Sequence, residues 1–166
     1  MSKIASIHRS RDVRTVFISD VHLGFPGCSA EYLCDFLAQV RCRELFLVGD
    51  IIDFWYLRKR RHWPAAHSRV LQQVLEKARQ GTRVILVPGN HDESLRPYNG
   101  MILGGVEVHD HLVHVTADGR RLLGPAAQKP EVCDALKAIR SGKFCPADAG
   151  LLGGALIVVA AFVHTQ

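Results

Sequence analysis

Val16-Phe17-Ile18-Ser19-Asp20-Val21-His22 is the stretch that decides the fold. Three apolar residues run into a serine, an acid, a spacer and an imidazole. A buried parallel strand reads as such an apolar run, and ligands collect where such strands end. Residues i and i+2 of an extended segment point the same way. Asp20 and His22 therefore reach one point just beyond the strand, and a carboxylate with an imidazole suits a divalent transition metal. Asp-x-His also arises by chance, so the reading depends on other segments converging on the same point.

Two later segments do so. Leu45-Phe46-Leu47-Val48 is a second apolar run, ending in Gly49-Asp50, and Val84-Ile85-Leu86-Val87 is a third, ending in Pro88-Gly89-Asn90-His91-Asp92. Between the first two runs, Leu33, Phe36, Leu37 and Val40 recur at i, i+3, i+4 and i+7, which predicts a helix over residues 30–40. Val70, Leu71, Val74, Leu75 and Ala78 mark another, with Gly81 where a helix stop is expected. The order is β-α-β-α-β, with helices long enough for crossovers. Three parallel strands, residues 15–20, 45–48 and 84–87, would then place Asp20, Asp50 and Asn90 along one sheet edge. Residues 49–69 read as a long loop. Val106 to Val108 and Leu112 to Thr116 read as further strands, and Asp118-Gly119 before Leu122-Leu123 is a hairpin signal.

Each strand end has a functional and an ordinary reading. Asp50 has two oxygens and can bridge two cations, and Gly49 lets a ligand approach the backbone. Asp53 either orients a metal ligand from behind or caps a helix. Asn90 offers a neutral oxygen. His91 either protonates a leaving group or holds a phosphate oxygen, and Gly-Asn-His-Asp by itself is also an ordinary turn. Trp55 to Trp63 places four consecutive cations, Arg58 to Arg61, among aromatics. It reads as a contact for an anionic headgroup, as a nucleotide platform, or as a solvated basic loop. His62, His67, His109, His111 and His114 read as exposed residues, and the cysteines as small apolar groups.

The 166 residues suffice for one domain with a core, and 48% hydrophobic composition argues against global disorder. Net charge of +5 favours an acidic partner such as a phosphate ester or an anionic membrane. Five cysteines without a Cys-x-x-Cys pair suit a reducing compartment. Residues 1–14 form a polar arm without a secretory signal. In residues 124–166, Val132, Ala135, Leu136 and Ile139 support a short helix. The apolar run 151–163 is 13 residues long, below the roughly 20 a membrane helix needs, and reads as a buried strand or a sticky segment.

Asp20-x-His22, Gly49-Asp50-x-x-Asp53 and Gly89-Asn90-His91-Asp92, each after an apolar strand, resemble the calcineurin-like metallophosphoesterases. The resemblance covers about Thr15 to Leu123. Within that superfamily, Ser19-Asp20-Val21-His22-Leu23-Gly24 and Gly49-Asp50-Ile51-Ile52-Asp53-Phe54-Trp55 are most similar to the UDP-2,3-diacylglucosamine pyrophosphohydrolases of lipid A synthesis. The resemblance implies an α/β (α+β) fold, a β-sandwich flanked by helices, with residues 15–123 its N-terminal part and 124–166 an atypical tail. It implies two divalent ions, usually manganese. Asp20 and His22 would hold the first, Asp50 would bridge, Asn90 would hold the second, and His91 would meet the phosphate. Asp53, Asp92, Arg58 and Arg60 would support these residues or the substrate. The expected partner is a phosphorylated small molecule or lipid-linked nucleotide, in the cytoplasm or on the inner membrane face, with no specific nucleic acid.

Two departures stand out. The pyrophosphohydrolases carry arginine after Gly-Asn, where this chain has His91. Their later His-Gly-Asp and Gly-His-x-His segments have no counterpart here, and His164 is the one later candidate ligand. Besides the enzyme, the residues admit a catalytically weak remnant that binds one metal, and a phosphodiesterase of nucleotides or nucleic acids.

Overall fold

The first strand and its partner set the frame. In a computed structural model that describes residues 11–115 and 121–124, β1 (Arg11–Ile18) pairs in parallel with β2 (Val40–Val48), Phe17 opposite Phe46 and Ile18 opposite Leu47. β3 (Arg83–Val87) continues the sheet in parallel on the far side of β2, with Val48 opposite Val87. The short β4 (Ile102–Leu103) and β5 (Val106–Val108) complete it. β5 is parallel to β3 and β4 antiparallel to β5, giving the order β1-β2-β3-β5-β4.

Helix α1 (Ala30–Gln39) connects β1 to β2, and α3 (Ala65–Arg79) leads into β3. Strand alternation sends Val16, Ile18, Leu45, Leu47 and Val84 to the helix side, where they pack with Leu33, Leu37, Val70 and Val74. Phe17, Phe46, Val48, Ile85 and Val87 form a second cluster, in which the Phe17 and Phe46 rings stack at 4.9 Å. Burial on both faces explains why these strands read as unbroken apolar runs. Each such side chain contributes about 1.5–3 kcal/mol by leaving water.

The predicted strands and helices are present, with shifted ends. β1 starts at Arg11 rather than Thr15, because Arg11 to Val13 pair with Val40 to Cys42 despite the polarity of Arg11 and Asp12. It stops at Ile18, because Asp20 takes a left-handed φ of 54°. β2 likewise begins at Val40, directly after α1. The stretch expected as a loop after Asp53 contains a helix, α2 (Phe54–Lys59), and α3 starts at Ala65, ahead of its apolar stripe. Gly81 does stop α3, at φ 95°, with Gly81 N–H on the Ala78 carbonyl and Thr82 N–H on that of Lys77. β6 (Leu112–Val115) and β7 (Arg121–Gly124) form the expected antiparallel pair, Val113 opposite Leu123. The polar arm up to residue 10, the Asp118-Gly119 turn, the helix expected near residues 132–139, the run 151–163 and His164 lie outside the described residues. Among the described residues, no helix is long and apolar enough to cross a membrane.

Candidate metal centre

β1 and β2 end side by side, and their first loop residues are tied together. Asp20 N–H donates to the Gly49 carbonyl at 3.1 Å, and His22 N–H to that of Asp50 at 2.9 Å. β3 joins through Gly49 N–H on the Val87 carbonyl at 2.8 Å. Asp20, His22 and Asp50 all have φ of 54–55°, a region sparsely used by residues other than glycine. Such strain persists where the surroundings enforce it, and it clusters at functional sites. The turns bring one ligand atom each from Asp20, His22 and Asp50 to within 4.8 Å of one another.

A second triplet, His22, Asp53 and His91, meets the same distance. Asp53 Oδ2 lies 3.3 Å from His22 Nδ1, while Asp53 Oδ1 lies 3.0 Å from His91 Nδ1. The second contact has the distance of an ion pair without hydrogen-bond alignment, so His91 Nδ1 is buried and without a hydrogen bond. Asp53 Oδ1 also accepts the Tyr56 N–H at 2.8 Å, which caps α2. Burial acts to raise the Asp53 carboxyl, but the His91 ring and the Tyr56 N–H outweigh it and hold the group below the ordinary carboxylate range. Asp53 thus caps α2 and lies beside His22, whose ring groups with Asp20 and Asp50.

Asp92 is the anchor behind these turns. Its side chain is fully buried and accepts N–H groups from Gly89 at 2.6 Å, Ile51 at 2.8 Å, and Asp50 and Ile52 at 3.3 Å. Burial pushes its carboxyl up, against the pull of those donors. Asp50 Oδ1 accepts the His91 N–H at 2.8 Å. A Cβ on Gly89 would collide with that same Asp50 oxygen and with Asp50 N, so the close approach requires glycine.

Asn90 sits between two residues in contact with Asp50, and its side chain is exposed. Arg58, Lys59, Arg60 and Arg61 are exposed at and after the end of α2. No hydrogen bond or ion pair ties Arg58 or Arg60 to the cluster among the described residues. The reading of His67 as an exposed residue is corrected. It is 2% exposed, and its Nδ1 accepts the Gly24 N–H at 2.9 Å. A backbone donor 43 residues away leaves no local signal. His109 is half-buried and paired with Glu107 at 3.0 Å, and His111 is exposed. Cys34 is buried and Cys28 and Cys42 half-buried, their thiols raised by burial, that of Cys28 to about 11. Trp55, read with the basic stretch as a contact for an anionic headgroup or a nucleotide, instead packs on His91 with ring centroids 4.3 Å apart. The cap at Asp53, two residues before it, was the available signal.

The donor set, two carboxylates and an imidazole backed by a third carboxylate, suits a divalent cation. Over 81 residues, 46% of this chain, the sequence is 36% identical to "UDP-2,3-diacylglucosamine hydrolase" from Ralstonia nicotianae. The match spans 29% of that enzyme's length. A solved structure, the Pseudomonas putida nuclease MPE, aligns with 57% of this chain and 46% of its own, at 24% identity and a TM-score of 0.35. Residues 13–123, which hold every member of the cluster, match the profile of the calcineurin-like phosphoesterases, and the chain belongs to that family of hydrolases acting on phosphoester bonds.

Proposed function

We propose that this chain is a metal-dependent phosphoesterase or pyrophosphohydrolase. Asp20, His22 and Asp50 hold one divalent ion, preferably Mn2+, and Asp50 with Asn90 holds a second. The observation that carries the reading is the convergence of Asp20, His22 and Asp50, three residues of left-handed φ in two turns, on one point. When bound, such ions neutralise charge on a phosphoryl group and lower the pKa of water. The protein's own residues do the rest. Asp53 takes the His22 Nδ1 and leaves Nε2 free to ligate. Asp92 holds the backbone of the turns after β2 and β3. His91, beside Asp50, meets a phosphate oxygen or gives a proton to the leaving oxygen. Arg58 and Arg60 on the exposed basic segment favour an anionic substrate or an anionic membrane surface.

The substrate we favour is UDP-2,3-diacylglucosamine or a related lipid-linked nucleotide of the lipid A type, met in the cytoplasm or at the inner membrane face. Residues 11–124 supply the N-terminal part of the phosphoesterase domain. Donor count favours a second reading, a chain that holds one ion firmly and turns over slowly, since the second position has only Asp50 and a neutral amide. A panel of UDP-2,3-diacylglucosamine, UDP-glucose, bis(p-nitrophenyl) phosphate and single-stranded DNA with Mn2+ separates these readings. Preferential release of UMP from the acylated nucleotide supports the favoured one. Cleavage of DNA alone would replace it with a nuclease, and no turnover of any substrate would leave the one-ion reading.

A further inference from the structure

We propose that Trp55 is a positioning residue whose indole fixes the plane of the His91 imidazole at the carboxylate cluster. The inference rests on the phosphoesterase reading and adds to it the residue that aims His91. Three neighbours surround that ring. His22 meets it at 4.6 Å and 90°, edge against face. Asp53 Oδ1 lies 3.0 Å from Nδ1 but out of hydrogen-bond alignment. The Trp55 indole lies over it at 4.3 Å with the planes tilted by 31°.

These contacts are not equivalent in what they constrain. The χ2 torsion of histidine is broad and roughly two-fold, so the side chain alone does not choose a ring plane. A misaligned contact at one nitrogen is a weak rotational restraint. A stacked aromatic fixes a plane, because tilting either ring loses area across the whole face. Trp55 is 42% exposed, and a loose surface indole would have no reason to hold that geometry. It is held, because α2 is tied to His91 at its start. Phe54 N–H donates to the His91 carbonyl at 3.2 Å, and Asp53, which faces the His91 ring, caps the helix through Tyr56 N–H. Trp55 lies between these two attachments. With Nδ1 kept on the Asp53 side, Nε2 is the nitrogen left to meet a substrate oxygen.

The first readout needs neither metal nor turnover. In proton NMR of the metal-free protein, the His91 ring signals are identified by their loss in His91→Gln. We expect them to carry an upfield ring-current shift that disappears and broadens in Trp55→Ala and persists in part in Trp55→Phe. Trp55→Leu, which keeps apolar bulk without a ring current, replaces Trp55→Ala if alanine disturbs α2. The second readout uses bis(p-nitrophenyl) phosphate with Mn2+. We expect kcat of Trp55→Ala to fall about 10- to 100-fold with KM little changed, Trp55→Phe to recover most of it, and Trp55→Ala to add nothing in a His91→Ala background. An unshifted His91 signal in Trp55→Ala overturns the proposal, as does a kcat loss fully additive with His91→Ala. A displaced signal in a chain whose wild type never turns over upholds the positioning and overturns the phosphoesterase reading instead.

Discussion

Asp53 concentrates three tasks in one carboxylate: it touches the His22 ring, faces the His91 ring and caps α2. Asp53→Asn keeps the shape but removes the charge behind the proposed ligand. We expect Mn2+ affinity to fall about 10- to 100-fold, while stability changes by only about 1 kcal/mol. Calorimetric titration beside urea unfolding reads both, and unchanged affinity would remove Asp53 from the account. Gly89→Ala acts differently, by forcing a methyl into Asp50. It should destabilise the fold by about 1–3 kcal/mol, the usual cost of overpacking, and weaken Mn2+ binding in the same titration. The residues that end strands were legible in the sequence, because an acid one residue beyond an apolar run is a visible break. The hub role of Asp92 was not, since its partners are backbone N–H groups around residue 51 and at Gly89.

Helix α3 holds the loop after β1 through one side chain, the buried His67 that accepts the Gly24 N–H. Burial, with a smaller contribution from His62, lowers the His67 pKa from its ordinary value near 6.5. The neutral ring therefore belongs to the fold. Its contribution to stability is complete above that ordinary value and is lost as pH falls through the lowered one. His67→Gln keeps an acceptor without the titration. Urea unfolding at about pH 8 and about pH 5 should show a smaller acid loss in the variant than in wild type; equal losses would assign the acid sensitivity elsewhere. At this scale the sequence was uneven. The long stripe of α3 was readable from its apolar period, although Leu75 within it is 44% exposed. The six residues of α2 were not readable, because a single short turn and a half carries too few apolar positions for a period and ends in Arg58 and Lys59.

The whole described sheet has β4 as an outer strand, and Ile102 on it is 69% exposed, beside exposed Met101 and Leu103. An apolar outer strand invites pairing with another chain. Ile102→Lys should therefore reduce concentration-dependent light scattering while Mn2+ binding stays as in wild type; unaltered scattering would contradict pairing through this strand. The parallel order of the first three strands was legible, because β-α-β spacing and connection rules leave few alternatives. That order is what gathers residues as distant as Asp20 and His91 at one edge. The central claim is that this edge is a divalent-ion site built on Asp20, His22 and Asp50. Calorimetric titration with Mn2+, run on wild type, Asp20→Ala and Asp50→Ala after each variant is verified as folded by circular dichroism, tests it most directly. We expect at least one firmly held ion in wild type, weakened at least about 10-fold by either substitution; equal binding in all three proteins would contradict the claim.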